Sequence, residues 1–369
     1  MGGYMDHMKK TPIHEEHLRH KGRMSDFFGW DLPLRYTGAR EEHLIVRNQA
    51  GLFDVSHMGQ ISLLGPEAVA FCDYLVTGDV LNMSDGEALY TTMLNVDGGI
   101  VDDLIVYRRS GDSILLVVNA ATIMGDFEHV QHHSTSFNLD VENKSDSYGQ
   151  LALQGPKSKE ILAKFSAELA ESLVKPFKFV EGEYHGVELL VSTTGYTGEW
   201  GYELYCPWDQ TELVWKQLLE LGKEEGLAPI GLSARDTLRL EATLSLYGSD
   251  ISTETDPFEA GLGWTVNMDR DFVGREALIA KGALEPSRKL VGFKMLDGGM
   301  PRKGCEILVD DQPVGFVTSG NRAPTSGRII GLGYVDLPYN KRKTELQIDI
   351  RGKKKSARVI RTPFYRRKD

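Results

Sequence analysis

Cysteine is scarce in this chain: three among 369 residues, Cys72, Cys206 and Cys305, far apart and in no CxxC pair. An odd, scattered set excludes a disulfide framework and points to thiols in a reducing compartment. Long apolar runs are missing too. None approaches the roughly 18 residues of a membrane span, and the start of the chain lacks the apolar core of a signal peptide, so a soluble, cytoplasmic protein is expected. The opening "MGGYMDHM" is expected to be unstructured. No GxGxxG follows a strand-like segment and no GxxxxGK[ST] occurs, which removes the phosphate cradles of dinucleotide and P-loop nucleotide binding.

What is present is globular composition, 41% apolar and 26% charged, in a chain long enough for two or three domains. Charge is unevenly spread. Residues 285–369 hold 19 Lys and Arg against 9 Asp and Glu, a net +10, so the −11 of the whole leaves −21 for residues 1–284. The basic part, with "RGKKKSAR" (Arg351 to Arg358) and "YRRKD", is either a solvated face complementing its acidic neighbour or a seat for an acidic partner or anionic substrate tail. Nucleic acid does not fit, because the acidic remainder repels it.

Two segments ninety residues apart echo each other, "ISLLGPEAVAFCDYL" (Ile61 to Leu75) and "LALQGPKSKEILAKF" (Leu151 to Phe165). Each reads as a short alternating strand, Gly-Pro, then an apolar segment of 3.6 period, with proline where a helix's first turn needs no N–H. Between them "ALYTTMLN", the turn "VDGG", "IVDDLIVY" and "SILLVVN" predict three consecutive strands, with Asp97-Gly98 marking the first turn. Later, "VELLVSTT" and "YELYC" flank the glycine-rich "GYTGEWG", and helical patterns run through "QTELVWKQLLELGKEEG", "SARDTLRLEATL" and "FVGREALIAKG". Beyond "LEPSRKL" every periodic segment alternates like a strand. The expected architecture is α+β: antiparallel sheets with flanking helices over 9–284, then an all-β module over 285–369.

Within "GGIVDDLIVY" (Gly98 to Tyr107) two adjacent carboxylates interrupt an otherwise buried strand. Alternation puts Asp102 on the side of Ile100, Leu104 and Val106, and Asp103 on the side of Val101, Ile105 and Tyr107. At most one can be merely solvent-facing. The other must be hydrogen-bonded, protonated or functional, because burying an unpaired carboxylate costs roughly several kcal/mol. In "TTGYTGEWGYELYC" (Thr193 to Cys206), glycines at 195, 198 and 201 permit positive φ and close approach of a flat ligand, Tyr196, Trp200, Tyr202 and Tyr205 can stack, and Glu203 opens the next strand. A tight hairpin with core tyrosines explains the same residues; a carboxylate at the base of an aromatic slot also suits the donor edge of an aminopyrimidine or pterin.

"GLSARDTLRLEATLSLYG" (Gly231 to Gly248) carries Arg235 and Arg239 one helical turn apart, with Asp236 and Arg239 an i,i+3 pair. It reads as an ion-paired amphipathic helix, or as a helix aiming Arg235 at a substrate carboxylate or the pterin slot. His57 and Met58 in "GLFDVSHMGQI" read as packing. His14, His17 and His20, and His129, His132 and His133, carry neither HExxH nor a nearby cysteine set, and no metal site is expected.

Taken together, "GWDLPLRY", "GLFDVSHMGQI", "GGIVDDLIVY", "LALQGPKS", "GYTGEWGYE", "GLSARDTLRLEA", "DPFEAGLGW", "FVGREAL" and "TPFYRR" resemble, in order from Trp30 to Tyr365, the T-protein of the glycine cleavage system, a tetrahydrofolate-dependent aminomethyltransferase family. The resemblance implies a ring-like three-domain architecture, the first two domains interleaved over 9–284 and the last a β-barrel or jelly roll over 285–369. It implies that an aminomethyl group arrives on the lipoyl arm of the H-protein, that folate N5 attacks it, and that methylene-tetrahydrofolate, ammonia and the reduced arm leave. The family's essential acid falls on Asp103 and its pterin-binding glutamate on Glu203. Its other ligand-contacting positions fall on Tyr196, Arg235 and Tyr365, and pocket-lining ones on Tyr90, Met58 and Asn119. One departure is Trp200, where the family has an acid ("GEDG"), a change expected to reshape the mouth of the slot.

Relatives of this architecture include folate-dependent demethylases of N-, O- or S-methyl donors, which commonly lose the essential Asp, and a non-enzymatic iron-sulfur maintenance protein marked by "KGCYxGQE". Here Asp103 is present and Asp271 stands at that cysteine's place. A tail fused to a flavin amine dehydrogenase is not expected from the chain's length.

Overall fold

The computed structural model describes residues 8–367; the opening "MGGYMDHM", Met8 apart, lies outside them. The chain forms two compact units. One takes the chain up to Cys72, Val80–Leu89 and Leu104–Asp236, and the other takes Asp73–Asp79, Tyr90–Asp103 and the chain from Thr237 on.

The first unit opens with α1 (His14–Arg19), the hairpin of β1 (Arg23–Phe27) and β2 (Trp30–Arg35), and α2 (Ala39–Asn48). The hairpin turns on Phe28-Gly29, with Phe27 opposite Trp30, and both turn residues have positive φ, +51 and +82. That geometry matches the twist of a two-residue hairpin. Glycine adopts it freely; phenylalanine does so at a cost.

The chain continues through β3 (Gly51–Asp54), β4 (Gly59–Leu64), α3 (Ala68–Leu75), β5 (Glu87–Leu94), β6 (Ile100–Ser110), β7 (Ser113–Val118), α4 (Ile123–Ser134), β8 (Asp140–Asn143), β9 (Tyr148–Gln154) and α5 (Ser158–Phe165). β5, β6 and β7 are the three consecutive strands expected around the Asp97-Gly98 turn, and the sheet runs β5-β6-β7-β4-β8. The internal echo is structural: β4 leads to α3, and β9 to α5, through Gly-Pro. Gly65 and Gly155 share a positive φ, +147 and +130. A Cβ would come 2.7 Å from the Leu139 Cα at the first and 2.5 Å from the Gln49 carbonyl oxygen at the second, so glycine is required twice for the same reason.

After α6 (Ala167–Ser172) come β10 (Phe179–Tyr184), β11 (Val187–Ser192), β12 (Gly201–Pro207), α7 (Thr211–Leu221), β13 (Ala228–Pro229) and α8 (Leu232–Ala242). A six-stranded sheet forms in the order β10-β11-β12-β9-β3-β13, antiparallel except for β13 beside β3. Its two faces differ. Leu151, Leu153, Val191, Tyr202 and Leu204 point to one side and pack with Ile161, Leu162, Val214 and Trp215 of α5 and α7 into a buried, largely apolar core. Fully burying each such aliphatic side chain contributes about 1.5–3 kcal/mol. The alternate positions, Gln150, Gln154, Ser192, Glu203 and Tyr205, make the opposite face polar, in the register Ser192 to Glu203 to Ala152.

The second unit holds α9 (Arg275–Ala280) and then β14 (Arg288–Met295), β15 (Glu306–Val309), β16 (Gln312–Arg322), β17 (Ile329–Asp336), β18 (Glu345–Ile350) and β19 (Lys353–Ile360). These six strands close into a barrel, β14-β17-β16-β15-β18-β19, filled by Phe293, Ile307, Val317, Val335 and Ile348. Closure between β14 and β19 leaves no strand edge open. The α+β architecture with a terminal β-barrel is as the sequence predicts.

Candidate active site

In the first unit the polar sheet face converges on Glu203. The β11–β12 hairpin presents its carboxylate beside Thr194, whose hydroxyl donates a short hydrogen bond to Oε2, while Gln150 Nε2 donates to Oε1 at 3.1 Å. Behind it lies a buried hydroxyl cluster: Tyr107 OH stands 3.1 Å from Ser192 Oγ, 3.0 Å from Thr194 Oγ1 and 3.0 Å from Tyr205 OH. Burial raises the Glu203 carboxyl above its ordinary pKa, opposed in turn by the Thr194 bond, the Arg235 charge and the Gln150 bond. Burial also pushes both tyrosines up, so they remain hydroxyls. Among the described residues each Glu203 oxygen takes one protein donor, so the partly exposed carboxylate retains capacity for two more.

The loop 193–200 is held from below. Arg47 Nη1 donates to Thr197 O at 2.8 Å and to Glu199 Oε1 at 2.7 Å in a buried ion pair, and Thr197 Oγ1 donates to Gln154 Oε1 at 2.8 Å. Of the three loop glycines only Gly198 has a positive φ, +80. Gly195 and Gly201 lack the positive φ that the sequence suggests, and a Cβ there would fall 2.1 and 2.4 Å from the Gln154 amide, so those two make room for Gln154. The aromatic slot is narrower than expected as well. Tyr202 and Tyr205 are 0% and 1% exposed, and Trp200 packs with Tyr202 on the helix-covered core, the side away from Glu203. Trp200 therefore does not stand at the mouth beside the carboxylate, as its place in the sequence suggested. Tyr196 is the loop aromatic that meets a charge: Arg235 from α8 lies 5.2 Å over its ring.

Arg235 Nη1 also lies 3.3 Å from Nε2 of His57, a 1% exposed side chain whose ring packs edge-on against Phe27 at 5.4 Å. Burial first, then the Arg235 charge, pushes the His57 pKa down to about 3, so the imidazole is neutral. Met58 packs on the core around Tyr107 and Tyr205. Asn119, just past β7, accepts from Thr122 N and Oγ1 through its carbonyl at 3.2 and 3.1 Å.

In the second unit Tyr90 OH donates to Asp103 Oδ2 at 2.8 Å, and its ring stacks on Trp264 with centroids 5.8 Å apart and planes 24° apart. Asp103 is half-buried. Asp102 is 0% exposed, so of its two expected settings, partnered or solvated, the solvated one is excluded.

Both parts of the chain match models of one family. The "GCVT N-terminal domain" matches residues 13–270 and the "Glycine cleavage T-protein C-terminal barrel domain" residues 288–366. Aminomethyltransferases of Halalkalibacterium halodurans and Desulfitobacterium hafniense are each 44% identical, the alignments covering 98% of this chain and 100% of theirs. The crystal structure of the glycine cleavage system aminomethyltransferase T from Bartonella henselae, 33% identical, superposes with a TM-score of 0.91 over 98% of this chain and 99% of that one. The chain belongs to the glycine cleavage T-protein family of aminomethyltransferases.

Of the positions that the family resemblance singles out, Glu203, Tyr196, Arg235, Met58 and Asn119 lie in the first unit and Asp103, Tyr90 and Tyr365 in the second. Tyr365 is tied to α8 by its backbone N–H, 2.8 Å from Glu241 O. The sequence reading missed Gln150, Thr194 and Tyr107. A signal for Gln150 existed: "GQIS" and "GQLA" begin the two repeat strands, and the matching glutamines Gln60 and Gln150 hydrogen-bond each other at 3.1 Å. His14 and His17 instead bind Asp31 and Asp54, both at 2.8 Å, and among the described residues no group of three His, Cys, Asp or Glu is arranged to hold a metal. Nor is any helix there long and apolar enough to cross a membrane. Within "RGKKKSAR", Lys354 pairs with Asp311 at 2.6 Å and Arg358 with Glu345 at 2.7 Å, which offsets part of that basic run locally.

Proposed function

We propose that the aminomethyl group this family transfers reaches the protein on the lipoyl arm of the H-protein and that its methylene carbon passes to tetrahydrofolate, releasing ammonia. Atoms balance without oxidant or reductant: the carbon exchanges its bonds to sulfur and amine nitrogen for bonds to N5 and N10, and the two protons those nitrogens lose end on the thiol and on ammonia. The reaction needs alignment and proton management more than covalent catalysis. Asp103, held by Tyr90, is the carboxylate assigned to that work, stabilising or accepting charge at the folate nitrogens.

The observation that carries the folate reading is Glu203. Its two remaining acceptor positions suit, in number and kind, the N–H and amino donors on one edge of a pterin, and burial makes a bidentate charge-assisted pair worth more than it would be in water. Tyr196 and Arg235 supply a ring and a cation on the same hairpin's flank; Met58, Asn119 and Tyr365 are assigned to the surrounding contacts. The net +10 of residues 285–369 favours an acidic lipoyl protein or a polyglutamate tail, and added salt weakens either contact.

The test is to mix the protein with tetrahydrofolate and aminomethyl-loaded lipoyl protein. Ammonia and methylene-tetrahydrofolate in equal amounts are expected. Methyl-folate formed from a methylated amine, with no ammonia from the loaded arm, would replace this reading with a demethylase.

A further inference from the structure

His57 has a role that packing does not explain. Its Nε2 lies 3.3 Å from a guanidinium, which can only donate, so Nε2 must present its lone pair and the proton must sit on Nδ1. That Nδ1 is buried and has no hydrogen-bond partner among the described residues. An unmet buried donor is a cost that an aliphatic side chain of similar size avoids. The ring is nevertheless fixed, edge-on against Phe27 from β1. Arg235, for its part, has a competing partner: its charge and that of Glu203 attract each other. Two groups on the first unit, the His57 lone pair and the Tyr196 ring 5.2 Å away, hold the guanidinium instead.

We infer that His57 is a positioning residue for folate binding: its lone pair keeps Arg235 on Tyr196 and out of an ion pair that would occupy the remaining acceptor positions of Glu203. The inference rests on the folate reading above. Without the imidazole, a guanidinium on a flexible three-carbon stem swings to the carboxylate, and the ligand must break that pair to bind. His57→Leu then raises the folate dissociation constant about 10- to 100-fold, the range for a hydrogen bond to a charged group, while turnover at saturating folate stays within about threefold. His57→Gln, whose amide oxygen reaches nearly the position of Nε2, keeps binding within about threefold of the wild type.

The experiment measures equilibrium binding of tetrahydrofolate to the full-length wild type, His57→Leu, His57→Gln and Arg235→Gln, with KM and kcat alongside. If His57→Leu does not fold, His57→Asn, too short to reach Arg235, takes its place with the same expectation. Weak binding in His57→Leu, rescue in His57→Gln and an effect confined to KM support the role. Wild-type binding in His57→Leu, or equal weakening by Leu and Gln, overturns it in favour of plain packing. Arg235→Gln separates the two levels: if it binds folate normally, the assignment of Arg235 to the ligand fails; if it binds weakly while His57→Leu binds normally, only the role of His57 fails.

Discussion

Asp250 and Glu203 are both carboxylates that accept from several donors, and they differ in how many. Asp250, in the second unit, is 0% exposed and takes four: Arg239 Nη1 at 2.6 Å and Leu246 N at 3.0 Å on Oδ2, Thr318 Oγ1 at 2.5 Å and Ser319 Oγ at 2.7 Å on Oδ1. Its acceptor capacity is full, and its partners come from α8, the chain after it and β16, so its job is to fasten those elements together. Glu203, in the first unit, takes two and keeps a raised pKa. A saturated carboxylate secures the fold; a half-served one on a polar sheet face is where a ligand's donors can go.

The comparison can be broken by substitution. Asp250→Ala removes the buried carboxylate that pairs with the Arg239 charge and should cost about 3–5 kcal/mol in the denaturant midpoint, with specific activity of the folded fraction unchanged. A smaller loss there would mean that Asp250 is not saturated in the way the distances imply. Glu203→Gln should do the reverse, weakening folate binding about 10- to 100-fold with stability within about 1 kcal/mol of the wild type. Its pH signature sharpens the contrast. A carboxyl whose folded pKa is raised binds its proton more tightly in the native state, so stability falls as pH rises from the ordinary carboxyl value to the raised one. Glu203→Gln flattens that step, and an unchanged pH profile would show that burial does not disfavour the charge.

Gly201→Ala tests the scaffold beneath. Its Cβ would fall 2.4 Å from the Gln154 amide, and displacing that side chain should cost about 1–3 kcal/mol in the denaturant midpoint. The smallest effect is expected at Phe28, 62% exposed with φ +51: Phe28→Asn should stabilise by about 1 kcal/mol by relieving the left-handed strain, measured as a rise in Tm.

Much of this was legible in the sequence because it is local. Alternation separated Asp102 from Asp103, Gly-Pro marked both repeat units, and the loss of helical period after "LEPSRKL" marked the barrel. What stayed hidden depends on partners. Alternation groups Tyr202 with Leu204 and Glu203 with Tyr205, but which face the helices cover is decided by α5 and α7, so Trp200 and Tyr202 looked like ligand aromatics when Tyr202 is core and Trp200, half-buried, packs against that core. The glycines at 195 and 201 answer to Gln154 across the sheet, a register no local pattern contains. His57 read as packing because a buried histidine usually is; its guanidinium partner is 178 positions away.

The most direct measurement is single-turnover formation of methylene-tetrahydrofolate by Asp103→Asn, with folate binding measured on the same preparation. Turnover reduced about 10²- to 10⁴-fold with binding nearly intact is the expected result for a carboxylate that manages charge at the reacting nitrogens. Wild-type turnover in that variant would contradict it and leave Asp103 with a structural role, as in its acceptance of the Tyr90 hydroxyl.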